Sequence, residues 1–568
     1  MKWIRVLWMV WLSLGSCFAL DREAFTFAHY DLDIQVEPAQ QRLGARGKIT
    51  LRNDSASSQR NLVLQISSSL NWRSIQVNGK PVQFLTQPYA SDIDHTGAVS
   101  EAVVTLPQEI APKATVELEI GYEGVVVLDA TRLTRIGVPD ADAKHSDWDQ
   151  IGKSFTAIRG IGYVAWYPVA TEAANLSEGN DLFETIGRWN AREDGAEMNA
   201  KLCQVGESDL PSEIVTNAET TTGDPAQPSS SECTSKAFSL SSAAPAFAIA
   251  PYSKLTAGPL AIYYLPEHKT GAEDYALAFD LTTPFVTGWF GPPRGKVQVV
   301  DLIDPSAAPF ESGNIMFAPM ARSDSRLAQL TVVHLLTHAA VQSSRPWIYE
   351  GLAHFAQAIY KENQSGRQAA LDFMGLHGSA LAQAEKSSTA TPQASASASL
   401  VNSRIEEFYR SKAMFVWWML RDVVGEPMLK KALANYHADQ DKEPSYVQRL
   451  IAAQSSHDLE WFFDDWVYRD RGLPDLKVDS VVSRETLAGS SVLTVTVENL
   501  GNAGAEVPVV LRMESGETTS RVHVDAKSKQ AIRMQAPSPP KEIVVNDGSV
   551  PESDVSNNTF KIEPVEEK

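Results

Sequence analysis

Three stretches of different hydrophobic periodicity follow one another along the chain. From residue 20 to about 265, apolar and polar residues alternate in short runs between turn signals such as Asn78-Gly79, which predicts β-strands. From 266 to 472, apolar residues recur every three or four positions, which predicts helices. Alternation returns from 473 to 568. The pattern predicts a multidomain α+β protein with an N-terminal β-saddle or sandwich, a mainly helical central domain and a small C-terminal Ig-like β-sandwich.

Capping residues set the expected limits of the central helices. One helix covers about 324–342, with Ser323 or Asp324 as its N-cap. The next begins at Pro346, a residue favoured in the first helical turn. A third ends at Gly425, which suits a C-cap. Between the second and third helices, a segment at about 384–402 rich in Ser, Ala and Thr predicts a flexible surface insertion.

Composition and charge restrict the classes of function. The chain has 568 residues, of which 43% are hydrophobic and 21% charged, as in ordinary globular domains. The formal net charge of −20 argues against a nucleic-acid partner, because phosphate binding requires a basic surface. Beyond the N-terminus, the sequence contains no apolar stretch long enough to predict a transmembrane segment.

The N-terminus has the features of an export signal. Two basic residues precede an apolar run and then small residues, which predicts a signal peptide at 1–19 and an exported protein, periplasmic or secreted. Alternatively, Cys17 carries a lipid anchor. Export leaves Cys203 and Cys233 in an oxidising compartment, where a disulfide is expected, although two free thiols remain the alternative.

Two histidines provide the candidate chemistry. His334 and His338 are four residues apart, so both imidazoles project from one face of a helix. A catalytic zinc ion needs a third protein ligand and one open position, and His-His-Glu is a known set. Glu350, early in the next helix, is the candidate third ligand if the two helices are antiparallel. The alternative interpretation is a pair of core histidines with no metal.

The two motifs HLLTH and WIYEGLA together resemble the gluzincin zinc metallopeptidases, and the alanyl-aminopeptidase family in particular. The similarity extends from about residue 25 to 480, with a β-saddle at the start and a segment YRSKAM similar to the family's Tyr-x-Lys-Gly-Ala helix. The resemblance implies a thermolysin-like domain and peptide substrates. It also implies one zinc ion held by His334, His338 and Glu350.

Several positions depart from the family pattern. Leu335 stands where the family has the glutamate that moves the proton during peptide hydrolysis. The oxyanion-stabilising tyrosine corresponds to Tyr409 in kind, but to Arg410 in register. The Gly-x-Met-Glu-Asn segment is replaced by FESGNIMFAPM, in which Glu311 is the candidate substitute for the missing carboxylate. His354 is a candidate proton shuttle.

Three functional hypotheses follow. The first is an exported zinc metallopeptidase-like protein of this family, in which the loss of the general base at Leu335 weakens peptide hydrolysis. The second is an inactive pseudo-peptidase that binds a peptide or a protein. The third is a structural surface protein whose histidines are incidental. The sequence makes no prediction of the oligomeric state.

Overall fold

The computed structural model describes residues 20–179, 181–206, 212–218, 233–240, 243–322, 324–389, 399–403, 405–485 and 491–562. The predicted signal peptide at 1–19, Cys17 and the N-cap candidate Ser323 lie outside the described residues. No helix within the described ranges is long and apolar enough to cross a membrane.

Thirteen strands and three helices make up the described N-terminal part. The strands are β1 (Phe25–Glu37), β2 (Arg42–Asn53), β3 (Gln59–Ser67), β4 (Leu70–Val77), β5 (Lys80–Pro81), β6 (Gln83–Ala90), β7 (Ala98–Ile110), β8 (Thr115–Val125), β9 (Thr156–Ile158), β10 (Glu197–Gln204), β11 (Glu213–Thr216), β12 (Cys233–Ser239) and β13 (Phe247–Ala250). The helices are α1 (Thr131–Arg135), α2 (Asp140–Ser146) and α3 (Asp181–Arg192).

These strands form three sheets around one apolar core. The largest has the order β12-β10-β1-β2-β8-β4-β5, and the two others have the orders β3-β7-β6 and β11-β13-β9. Alternate residues of β1 are buried, as its alternating sequence predicts. Trp166 and Tyr167, which lie in the aromatic segment between β9 and α3, are fully buried in this core. Cys203 on β10 pairs in register with Cys233 on β12, and the two form a disulfide.

Within its described residues, the central part combines a five-stranded sheet with nine α-helices. Its strands are β14 (Ser253–Ala257), β15 (Leu260–Tyr264), β16 (Val297–Asp301), β17 (Phe310–Ser312) and β18 (Ile315–Ala318). Its helices are α4 (Lys269–Phe290), α5 (Ser325–Ala340), α6 (Pro346–Ser365), α7 (Arg367–Gly375), α8 (Gly378–Thr389), α9 (Ala413–Val424), α10 (Glu426–Ala434), α11 (Tyr446–Ala452) and α12 (Glu460–Phe463). Two π-helical turns cover Glu407–Lys412 and Asp464–Tyr468.

This sheet runs across the boundary placed at residue 265 from the sequence. Its order is β14-β15-β16-β18-β17, with β15, β16 and β18 parallel and β17 folded back on β18 as a hairpin. The periodicity of the surrounding helices concealed these short strands.

Local signals fix the helices that carry the candidate site. The Asp324 side chain caps α5 by accepting a hydrogen bond from the Arg326 backbone N–H at 2.8 Å. Pro346 starts α6, and Gly425 ends α9 with a φ of 86° that a glycine adopts without strain. The predicted insertion at about 384–402 is helical up to Thr389 and buried again at Leu400, while 390–398 lie outside the described residues.

The C-terminal part is a β-sandwich of two sheets. Its strands are β19 (Leu476–Glu485), β20 (Ser491–Asn499), β21 (Ala505–Met513), β22 (Gly516–Val524), β23 (Lys529–Ala536), β24 (Pro540–Val545) and β25 (Thr559–Lys561). The sheets have the orders β19-β20-β23 and β22-β21-β24-β25, and their apolar faces are continuous with the core of the central helices. The three parts together confirm the predicted α+β fold class.

Candidate metal centre

Helix α5 presents two histidines to one point in space. The Nε2 atoms of His334 and His338 lie 3.0 Å apart, and both side chains are buried. The spacing of four residues places them one above the other on the helix surface. The ring of Tyr349 stacks on His338 with 3.7 Å between the ring centroids, which holds that imidazole in its orientation.

Helix α6 brings Glu350 to the same point. Its Oε2 lies 3.9 Å from His334 Nε2, and its Oε1 lies 3.8 Å from His338 Nε2. The short connection from 341 to 345 folds α6 back along α5, so the three side chains proposed from the sequence meet.

The hairpin of β17 and β18 adds a second carboxylate. Glu311 Oε2 lies 2.8 Å from His334 Nε2, and Glu311 Oε1 lies 3.2 Å from His338 Nε2. Glu311 is therefore closer to both imidazoles than Glu350 is. The potential ligand atoms of Glu311, His334, His338 and Glu350 all lie within 4.8 Å of one another, and we call these four residues the His–Glu cluster.

Arg410 supports the cluster from the π-helical turn before α9. Its Nε donates a hydrogen bond to Glu350 Oε2 at 3.2 Å, and its guanidinium also forms an ion pair with Glu406. Tyr409, the tyrosine proposed for the oxyanion, is the neighbouring residue and lines the adjacent cavity. Within the described residues, Arg410 is thus the member of this pair with a hydrogen bond to Glu350.

Leu335 is fully buried in the apolar core of the central and C-terminal parts. The side chain supplies neither a proton acceptor nor a metal ligand. A buried hydrophobic residue therefore follows His334 on α5.

Charge interactions within the cluster shift several pKa values. Burial alone would raise the pKa of Glu311, but the two imidazoles beside it hold that pKa well below its ordinary range. Burial lowers the pKa of His334, but the Glu311 and Glu350 carboxylates outweigh this effect and raise it. Burial, with the nearby His334 and Arg410, holds the pKa of His354 well below its ordinary value. His354 is therefore neutral at pH 7, with Nδ1 lying 3.0 Å from the Glu350 carbonyl oxygen.

A cavity of about 820 Å³ opens beside the cluster. It lies between the N-terminal and central parts, and its lining includes Tyr163, Phe310, Glu311, His354 and Arg410. A cavity of this volume is large enough for a short peptide or a compound of similar size.

The donor set fits a divalent transition metal. Two imidazole nitrogens and carboxylate oxygens are the ligands that zinc takes in proteins, at about 2.0–2.2 Å. Two ligands on such a tetrahedron lie about 3.3–3.5 Å apart, and the Nε2–Nε2 separation of 3.0 Å and the Nε2–oxygen separations of 2.8–3.9 Å bracket that value. Glu311 Oε1 is buried, and within the described ranges its 3.2 Å contact with His338 Nε2 lacks the alignment of a hydrogen bond, so it remains available to an ion.

Two residues that support this centre were not predicted from the sequence. Tyr349 precedes a predicted ligand, and its stacking on His338 follows only from the packing of α6 against α5. Glu406 lies four residues before Arg410, a spacing that favours an ion pair on a helix and could have identified it.

Known proteins resemble this chain in structure only. No protein-family model matches the sequence, and a search of curated proteins finds no relative. The M1 zinc metallopeptidase of Deinococcus radiodurans is 15% identical over 80% of this chain and 96% of its own, with a TM-score of 0.44. A mutant of that enzyme bound to a Tyr-Ser-Ala substrate is 16% identical, with the same coverage and TM-score.

A closer structural match is aminopeptidase A of Legionella pneumophila in complex with aspartic acid. It is 14% identical, its alignment covers 95% of this chain and 60% of its own, and its TM-score is 0.55. At this level of identity the likeness concerns the fold alone. The chain described here thus has the fold of that aminopeptidase along nearly its whole length.

Proposed function

We propose that this protein is an exported, zinc-binding, metallopeptidase-like protein that binds peptides and hydrolyses them slowly. Zinc is held by His334, His338 and Glu350. The convergence of these three side chains carries the proposal, because residues from two helices meet with their ligand atoms within 4.8 Å of one another. The aminopeptidase fold and the adjacent cavity support it.

Different residues around the centre would bind the ion, orient its ligands and bind the peptide. When bound, a divalent ion supplies a Lewis acid that activates water and polarises a carbonyl group. Arg410 fixes the orientation of Glu350 through its hydrogen bond, and the cavity holds the peptide next to the cluster. Leu335 provides no general base, whose contribution to rate is typically about 10²–10⁴-fold. Hydrolysis is accordingly expected to be slow.

The second candidate is a pseudo-peptidase that keeps the peptide site without turnover. The burial of Leu335 in the apolar core favours it, because no carboxylate occupies the base position on α5. Both candidates require bound peptide, and they differ in whether a zinc-dependent rate is measurable.

Metal analysis and peptide assays test the proposal on the mature protein. About one zinc ion per chain is expected, and it should be lost in His334→Ala and retained in the control His457→Ala, which replaces an exposed histidine of the same protein. Slow release of amino acids from a peptide mixture that stops with a chelator supports the enzyme. Peptide binding without release supports the second candidate, and absence of bound zinc contradicts both.

Export is part of the same proposal and has its own test. N-terminal sequencing of the protein from the extracytoplasmic fraction should begin at residue 20. Membrane association that disappears in Cys17→Ser would instead identify the lipid-anchored form, and a cytoplasmic protein that retains residues 1–19 would contradict export.

A further inference from the structure

Glu311 has closer contacts with the two imidazoles than the expected third ligand does. Its two oxygens lie 2.8 and 3.2 Å from the Nε2 atoms of His334 and His338, whereas the oxygens of Glu350 lie 3.9 and 3.8 Å from them. Each oxygen of Glu311 faces one imidazole, so the carboxylate bridges the pair. The approach comes from the side of the β17–β18 hairpin, away from α6.

The hairpin that carries Glu311 is fixed in place. The neighbouring Ser312 donates a hydrogen bond from Oγ to the Ala244 carbonyl oxygen at 2.8 Å, and it accepts one from Asn217 Nδ2 at 3.1 Å. The Phe310 ring packs edge-on against Tyr163 with 5.2 Å between centroids. The position of Glu311 is therefore held by residues on both sides of it in the chain.

The surroundings of Glu311 exclude most other partners. Its side chain is only 10% exposed, and within the described part of the chain its Oε1 contacts His338 Nε2 without the alignment of a hydrogen bond. Arg410, which interacts electrostatically with Glu311, is engaged by Glu350 and Glu406. A buried carboxylate requires a partner of opposite charge, and a cation between the imidazoles would be one.

On this geometry we propose that Glu311 is the fourth protein ligand of the metal ion, so that the His–Glu cluster forms a closed, four-ligand site at rest. A catalytic zinc site keeps one of its four positions for water or substrate, whereas four protein ligands characterise a closed site. A peptide must then displace Glu311 before it reaches the ion. This inference rests on the metal binding proposed above, and it adds a second cause of slow turnover to the absence of a base.

An ion pair without metal also accounts for a short Glu311–His334 distance, because a protonated imidazole attracts a carboxylate. The two explanations differ in what exogenous ligands do to a bound ion. A closed site rejects a small anion such as azide, whereas a site with three protein ligands accepts it.

Cobalt substitution tests the closed site without using activity. Mature wild-type protein is loaded with Co²⁺, and its visible absorption spectrum is recorded before and after addition of azide. Glu311→Ala and Glu311→Gln are compared with Glu407→Ala, which removes a carboxylate that lines the same cavity but lies outside the His–Glu cluster. Zinc affinity is measured by competition with a chelating dye.

We expect azide to leave the wild-type and Glu407→Ala spectra unchanged and to alter those of both Glu311 variants. Loss of an outer-shell partner typically weakens metal binding 10–100-fold, so loss of a ligand should weaken zinc binding at least about tenfold. Circular dichroism checks that the variants are folded, and Glu311→Gln preserves the shape of the side chain.

The outcomes separate this inference from the proposed function. An azide response in the wild type equal to that of the Glu311 variants overturns the fourth ligand but leaves zinc binding intact. Unchanged zinc affinity in both variants overturns it as well. Failure of the wild type to bind Co²⁺ or Zn²⁺ removes the metal centre itself, and the proposed function with it.

Discussion

Replacement of Leu335 by glutamate places a carboxylate directly after His334, where the proposed function lacks a general base. On a helix with about 100° per residue, residue 335 lies about 80° from the direction midway between His334 and His338. Residue 336 lies about 180° from that direction. A glutamate at 335 can therefore turn toward the cluster, whereas Leu336→Glu points to the opposite face. Both leucines are fully buried, so the second variant is a matched control for burial.

The cost in stability can be estimated from this burial. Replacement of a buried leucine loses about 2 kcal/mol of the stabilisation that apolar burial contributes. A glutamic acid with an ordinary pKa near 4.3 must also be protonated to be buried uncharged, which costs about 4 kcal/mol at pH 7. We therefore expect a loss of roughly 6 kcal/mol in both metal-free variants. Zinc should recover a large part of this loss in Leu335→Glu only, because only that carboxylate faces the ion.

The gain in rate follows from general acid–base catalysis. A positioned carboxylate contributes about 10²–10⁴-fold, equivalent to roughly 3–5 kcal/mol of barrier. With zinc present, Leu335→Glu should raise chelator-sensitive peptide hydrolysis about 10²-fold or more above the wild type. Leu336→Glu should show no increase.

The assay follows release of amino acids from short peptides at pH 7, with zinc content and the thermal unfolding midpoint measured on the same samples. A Leu335→Glu protein that is folded, contains zinc and shows no increase would refute the reasoning, since the missing base would then not limit the rate. Equal loss of stability in the two variants with zinc present would show that residue 335 does not face the ion.

Three further predictions concern the packing of α6 against α9, the disulfide of the N-terminal part and a buried carboxyl group in the same part. Gly351→Ala places a Cβ 2.6 Å from the Ala413 Cβ and should cost about 1–3 kcal/mol by overpacking, whereas Gly375→Ala has nothing within 4 Å and should leave the unfolding midpoint unchanged or slightly raised. Reduction of the Cys203–Cys233 disulfide should lower stability by roughly 3–4 kcal/mol in the chain-entropy model, seen as a lower midpoint in dithiothreitol. Burial raises the pKa of Glu193 from 4.5 to about 7, so its stabilising contribution is present below pH 4.5 and is lost as the pH rises from 4.5 through 7. The unfolding midpoint of Glu193→Gln should therefore fall less than that of the wild type between about pH 4.5 and 7.5.

The convergence of the candidate ligands on the two helices was predictable because their spacing is local information. The i,i+4 pair of His334 and His338 fixes one face of α5, and the Pro346 start of α6 places Glu350 near the turn between the helices. The hydrophobic residue after His334 was equally evident from the sequence. These inferences required only helical geometry and one reversal of the chain.

The residues that other strands and helices bring to the cluster were harder to predict from the sequence. Glu311 reaches the cluster on a hairpin whose two strands are only three and four residues long, too short for their periodicity to be detected. The choice between Tyr409 and Arg410 depends on the π-helical turn at Glu407–Lys412, which shifts the direction of its side chains relative to a regular α-helix. Helix α3 also escaped detection, because it lies within an otherwise strand-rich stretch.

The charges around the His–Glu cluster explain why leucine at position 335 and arginine at position 410 are compatible with one another. Glu350 and Glu406 form ion pairs with Arg410, and Glu311 interacts with it electrostatically; these three carboxylates and one guanidinium carry a formal charge of −2 when the imidazoles are neutral. A divalent cation neutralises this charge, and without one the raised pKa of His334 lets a proton supply part of it. A glutamate at position 335 would add a further negative charge to a buried site. Leucine at this position avoids that additional charge, and Arg410 offsets one of the three carboxylates, so the cluster can be balanced by one divalent ion.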